Sequence, residues 1–213
     1  MYKLWQIFLV SVISVILFIT VCLCVDQNDS TQTHKTKLNG RRNRSPLRRD
    51  GIVSDVIDTV PKYKITVKYP SGVEANFGNE LTPTQVKDKP TISWPSELDA
   101  YYTLVMTDPD APTRSDPIFG EFKHWLVINI AGSDVVSGQV LADYKGSGPP
   151  KDTGLHRYIF LVYRQPKLIE HPVSTTDLAK RSQFKIRNFA KDNNLGQPIA
   201  VNYFMAQWDG KLG

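Results

Sequence analysis

Two aspartates, two histidines and a tyrosine stand at the ends of apolar segments: Asp108 and Asp110 in Asp108-Pro109-Asp110-Ala111-Pro112, His124, and His156 and Tyr158 in Gly154-Leu155-His156-Arg157-Tyr158. Imidazole N–H and phenol O–H groups suit a small anion, and the stretch Lys145-Gly146-Ser147-Gly148 can turn its backbone N–H groups inward as a nest. Asp108 can accept the second N–H of a histidine and favour the cationic ring when an anion arrives. Histidine titrates near neutrality, so such a site should bind anions better at mildly acidic pH.

Other chemistries fit less well. The Gly146-Ser147-Gly148 stretch lacks the Gly-x-Ser-x-Gly elbow of a serine hydrolase. Asp108, His124 and His156 have the types of a two-histidine, one-carboxylate metal triad, but their spacing matches no local metal motif. Asp108 and Asp110 are not expected to face each other as a glycosidase acid and base. Both cysteines, Cys22 and Cys24, lie within the first 25 residues, so the rest of the chain offers no thiolate and no disulfide. No catalytic residue, metal or cofactor is expected.

Three apolar runs must position these groups: Tyr102 to Thr107, Trp125 to Ile130 and Tyr158 to Tyr163, each reading as a strand buried on both faces. Alternation along a strand puts Asp108 on the face of Tyr102, Leu104 and Met106. It puts His124 with Leu126, Ile128 and Ile130, and His156 and Tyr158 with Phe160 and Val162. If the first strand runs antiparallel to the other two, all these polar groups meet at one sheet edge. Residues 62–70 alternate lysine with apolar or β-branched residues and read as a half-exposed strand ending at Pro70-Ser71-Gly72. One helix is predicted over Asp177 to Asn193, with N-cap candidates in residues 174–177 and a stop at Asn194-Leu195-Gly196. Many strands beside few helices predict a mainly β domain with a large central, antiparallel-rich sheet.

The 213 residues divide into a domain and an appendage. After Lys3, the run Leu4 to Val25 is almost wholly apolar, and residues 1–25 read as a signal peptide or as an uncleaved signal anchor. Secretion follows from the first reading, membrane tethering in the secretory pathway from the second. Residues 26–50 read as a basic, disordered linker. Its glycosylation acceptors are Asn28 and Asn43, and its candidate processing sites are Arg41-Arg42-Asn43-Arg44 and Arg48-Arg49. The formal net charge of +5 does not indicate nucleic acid. Residues 35–49 hold seven Lys or Arg and no acid, a net +7; with −1 over residues 1–34, residues 50–213 carry a net −1.

The ordered motifs Leu81-Thr82-Pro83-Thr84-Gln85-Val86-Lys87, Tyr102 to Pro112, His124 before its strand, Ser147-Gly148-Pro149-Pro150 and Gly154 to Tyr158 span about 150 residues. Residues 51–213 on these grounds resemble the phosphatidylethanolamine-binding protein family. The resemblance implies that family's fold: a large central sheet, a smaller sheet packed with it and a few flanking helices. It also implies a non-enzymatic binding protein with an anion pocket at Asp108, His124, Pro149, His156 and Tyr158. Candidate rim positions are Asp110, Pro112, Phe122, Gly148, Tyr203 and Phe204.

Three departures from the family pattern stand out. Phe204 replaces a tyrosine common in animal members, leaving a hydroxyl either lost or supplied by Tyr203. Phe122 stands where tryptophan is frequent. The sequence continues only to Gly213 after Trp208, without the C-terminal helix that animal members often pack near the pocket, so a more open mouth is expected. The expected ligand is a phosphate-like anion or a phospholipid head group, held at millimolar-to-micromolar strength, about −4 to −8 kcal/mol. Thr113 to Glu121 would tune selectivity. The alternative is a protein–protein inhibitor of a protease or kinase. A monomer is expected, with membrane contact only through the leader.

Overall fold

The computed structural model describes residues 45–170 and 181–211. The leader, Asn28 and Asn43, most of the basic stretch and the N-cap candidates at 174–177 lie outside the described residues. Among the described residues nine strands form two sheets. They are β1 (Tyr63–Lys64), β2 (Thr66–Lys68), β3 (Asn79–Glu80), β4 (Thr91–Ser93), β5 (Tyr101–Asp108), β6 (Phe122–Ala131), β7 (Gln139–Ala142), β8 (His156–Arg164) and β9 (Ala200–Ala206). The seven-stranded sheet has the order β1-β9-β8-β5-β6-β7, with β3 also paired to β9. Its interior pairings are antiparallel, whereas β1 and β3 run parallel to β9. The second sheet is the antiparallel pair β2–β4.

The predicted central strands are all present and longer than their apolar cores, so Asp108, His124 and His156 lie within strands. Alternating side chains feed two hydrophobic layers. On one face Leu104, Met106, Tyr158, Phe160 and Phe204 pack with Val67 and Ile92 from the small sheet and with Trp94 just after it. On the other, Val105, Ile159, Leu161 and Tyr203 pack under Leu47, Ile52, Val56 and Ile57, together with Ile186 and Ala190. Covered on both faces, the central strands need apolar residues at every position, which is why they read as continuous runs.

Three sequence expectations change in detail. Residues 62–70 form two strands rather than one: β1 joins the large sheet and β2 the small one. At the crossing, the buried Asn202 donates to the carbonyls of Ile65 and Ala75, 2.7 and 2.8 Å away, satisfying groups that no ladder reaches. The predicted burial alternation through Ile65, Val67 and Tyr69 holds.

The helix is shorter than predicted. Among the described residues it spans Ile186–Asp192 (α3), after two short N-terminal turns, α1 (Pro46–Arg49) and α2 (Ile52–Asp55). Gln183 is left-handed at φ 56, and the N–H groups of Gln183 and Phe184 bond the carbonyls of Phe119 and Glu121 instead of a helical turn. Its end is as predicted, with Asn194 and Gly196 both at positive φ.

The folded unit begins at Pro46, not at residue 51. Pro46–Arg49 forms a single helical turn (α1), and a second turn, Ile52–Asp55 (α2), is broken at Ser54, with φ 112. Leu47, only 2% exposed, anchors this strap in the second layer. Arg48-Arg49, read from sequence as a candidate cut site, sits in that turn, with Arg49 paired to Asp50 at 2.8 Å. Leu47→Ala should cost about 2–5 kcal/mol in urea unfolding, the range for truncating a buried leucine. A loss within about 0.5 kcal/mol, typical of surface changes, would show that the strap is not part of the core.

Candidate functional site

Antiparallel pairing of β5 with both β6 and β8 brings Asp108, Phe122 and His156 to the same end of the sheet. His124 arrives there by a route that simple alternation misses. Met106 pairs with Trp125 but Thr107 pairs with Lys123, so His124 is the extra residue of a β-bulge. In a regular strand it would share the face of Leu126 and Ile128, which lies in the opposite layer. The bulge turns it toward Tyr158, with the rings 5.1 Å apart and nearly perpendicular. A second irregularity, with Asn129 at φ 58, moves Ile130 into the first layer, away from Leu126 and Ile128.

Asp108, 3% exposed, is fully engaged. One carboxylate oxygen accepts from His156 Nδ1 at 2.8 Å and the other from the Asp110 N–H at 2.7 Å. Its role is therefore to orient His156 and hold the following turn. His156 Nε2 lies 3.0 Å from Thr153 Oγ1, which is 2.8 Å from the Pro150 carbonyl. The single hydroxyl proton of Thr153 serves either Nε2 or Pro150. With the imidazole protonated on both nitrogens every one of these contacts is satisfied.

His124 donates from Nδ1 to the Lys145 carbonyl at 2.8 Å, leaving Nε2 free of any described partner. Burial pulls its pKa below the ordinary value, against the opposing pull of the Asp108 charge. Behind it, the buried Arg181 donates Nη1 to the carbonyls of Lys123, His124 and Asp143 at 2.9–3.2 Å, pinning the bulge. Burial pushes the Tyr158 phenol well above its usual range, the Asp108 charge adds to this, and the Gly148 N–H meets the phenol oxygen. Tyr158 stacks on Phe204 at 5.1 Å, and Phe122 lies 5.0 Å from His124. Pro149 is buried between the exposed Gly148 and Pro150.

One side chain overlooked in the sequence is Ser147. It is 4% exposed, and its Oγ has no hydrogen-bond partner among the described residues. It sits between Lys145, which holds His124, and Gly148, which holds Tyr158. Its place in the predicted nest was the available signal. Arg181 and Thr153 had none.

Two candidate rim residues belong elsewhere. Asp110, 1% exposed, lies in a buried ion pair with Arg157: Nη2 reaches Oδ1 at 2.6 Å, while Nε and the backbone N–H reach Oδ2 at 2.9 Å. Tyr203 faces the second layer and hydrogen-bonds the Asp50 carboxylate. It supplies no hydroxyl in place of the one missing at Phe204, because neighbours on a strand point to opposite faces. Pro112 follows a cis peptide in the turn after β5. Among the described residues no group of three or more His, Cys, Asp or Glu is arranged to hold a metal ion.

The phosphatidylethanolamine-binding protein family model matches residues 70–204. The chain belongs to that family. It is 33% identical to the Drosophila melanogaster protein named "Putative odorant-binding protein A5" over 161 residues, 74% of this chain and 77% of the relative. Among solved structures, a carboxypeptidase Y inhibitor in complex with its cognate proteinase is 29% identical, covering 77% of this chain and 94% of that one, with a TM-score of 0.68. A protein solved in solution is 52% identical over 74% of this chain and 92% of its own length, with a TM-score of 0.61. The mainly β architecture is the one these family structures share.

The loop leading into β6 carries a second buried carboxylate. Burial pushes Glu121 up to about 7, although Thr107 donates to it at 3.2 Å and the Ile186 N–H also reaches it. The folded state thus holds a proton that the unfolded chain has released, so stability falls as pH rises from about 4.5 to about 7. The loss attributable to this group is roughly 3 kcal/mol. Glu121→Gln should flatten that slope in urea unfolding across the window; an unchanged slope would show the carboxylate to be ionised throughout.

Proposed function

We propose that this chain binds a small phosphate-like anion, as the free ion or as a phosphorylated lipid head group, at the site formed by His124, Ser147, Pro149, His156 and Tyr158. The observation that carries the reading is unspent hydrogen-bonding capacity in one buried neighbourhood. Among the described residues the Ser147 hydroxyl has no partner, and His124 uses one of its two ring nitrogens. A buried polar atom without a partner costs free energy until something satisfies it. Asp108 acts through His156 rather than by touching the anion. The site's walls, Phe122 and Phe204, are aromatic and close-packed, which suits a head group better than an acyl chain. Family membership supports the reading. Delivery to the secretory route by the apolar run at Leu4 to Val25 completes it.

A second reading is inhibition of a protease through the outer surface, supported by the similarity to the carboxypeptidase Y inhibitor. Inhibition that survives loss of anion binding would favour it.

Calorimetric titration of the full chain with phosphate and phosphoethanolamine tests the first reading. Saturable binding is expected, with loss in His156→Ala. Anion binding favours the imidazolium form of His124, whose pKa burial has lowered, so binding takes up a proton and affinity rises as pH falls. Tighter binding of phosphoethanolamine, or of vesicles displaying that head group, would identify a lipid source. PH-independent binding that persists in His156→Ala would sink the assignment.

A further inference from the structure

On the face of the sheet away from the anion site, a cavity of about 530 Å³ opens between the N-terminal strap, the end of β8 and α3. Its volume falls in the ~300–1,000 Å³ range of small-molecule sites. Ile57 and Ala190, 2% and 6% exposed, give it an apolar wall. The polar lining is uneven. Arg187 is committed: it pairs with Asp58 at 2.8 Å and donates to the carbonyls of Ser54 and Asp55 at 2.8 and 3.1 Å. That pairing neutralises the one acid in the lining. Lys191, on the last turn of α3, then stands as a cation without an acidic partner among the described residues. Tyr163 also lines the cavity; it is 2% exposed, and its phenol oxygen meets no hydrogen-bond partner among the described residues.

We propose that this cavity is a second ligand site, taking a small molecule with an apolar body and a single carboxylate. The carboxylate would lie between the Lys191 ammonium and the Tyr163 hydroxyl, with the body against Ile57 and Ala190. One free cation and one phenol match a monoanion; a phosphate dianion would find too few donors, because Arg187 is already spent. Burial holds the Tyr163 phenol well above its usual range, so it stays protonated and serves as a donor. The site is independent of the anion pocket, since Tyr163 and the His156–Tyr158 pair lie on opposite faces of β8.

The test is calorimetric or ligand-observed NMR titration of the full chain with octanoate and, in parallel, 1-octanol. Octanoate is expected to bind saturably and more tightly than the alcohol. Lys191→Met should weaken octanoate about tenfold, the size of one charge-assisted hydrogen bond, and leave 1-octanol unchanged. Tyr163→Phe should weaken octanoate severalfold, and His156→Ala should have no effect. Lys191 is exposed, so its replacement leaves folding intact, and thermal unfolding verifies the Tyr163 variant. Absence of saturable octanoate binding would overturn the proposal. So would octanoate binding that ignores Lys191→Met but is lost in His156→Ala, because the carboxylate would then occupy the anion pocket.

Discussion

The buried guanidinium of Arg157 is the interaction on which the rest of the site depends. A charge this deep is tolerated only when its donors are largely matched, and here four of its five N–H groups are. Asp110 takes two of its N–H groups, the Asp50 carbonyl accepts at 2.9 Å, and the Asp55 carboxylate at 2.7 Å. Two segments far apart in sequence are thereby fixed to the start of β8: the turn after β5, through Asp110, and the N-terminal strap, through Asp50 and Asp55. Arg157 lies between His156 and Tyr158 but faces the other layer. It therefore braces the proposed anion site from behind, holding the turn that carries Asp108 while Asp108 holds His156. The strap contributes to the same brace a second time through the bond from Tyr203 to Asp50.

With the brace in place, the front of the sheet presents few charges. The Asp108 carboxylate is consumed by His156 and by the turn, so an incoming anion meets N–H and O–H groups rather than a bare negative charge. The cost of burial falls mainly on His124 and Tyr158, whose pKa values move in opposite directions and toward the neutral form in both cases. On the proposed reading an anion would reverse that bias at His124, which would make proton uptake part of binding. Arg181, held in a cage of three carbonyls, fixes the bulge that aims the ring.

Much of this was legible in the sequence, and the failures have physical causes. Buried strands announce themselves as apolar runs, so β5, β6 and β8 and the gathering of Asp108, His156 and Tyr158 followed from composition and alternation. The face assigned to His124 did not, because a bulge adds one residue without leaving a mark in the hydrophobic pattern. Asp110 read as a rim residue because its partner, Arg157, is 47 positions away and looks like any charge in a strand. The strap read as linker because its basic composition matches a solvated spacer, and only Leu47 signalled otherwise. Residues 183–184 looked helical by periodicity, yet their N–H groups serve the loop before β6.

The register of β9 against β8 decides which chemistry each face receives. Tyr158 pairs with Phe204 and Ile159 with Tyr203, so the pocket layer meets a phenyl ring and the strap layer meets a phenol. A slip of one residue would exchange them, sending the Tyr203 hydroxyl to the anion site and stripping Asp50 of its donor. The two hydroxyl positions are therefore not interchangeable, even though they are adjacent in sequence. At this place the chain carries a hydroxyl where it secures the N-terminal strap and a phenyl ring where it packs against Tyr158.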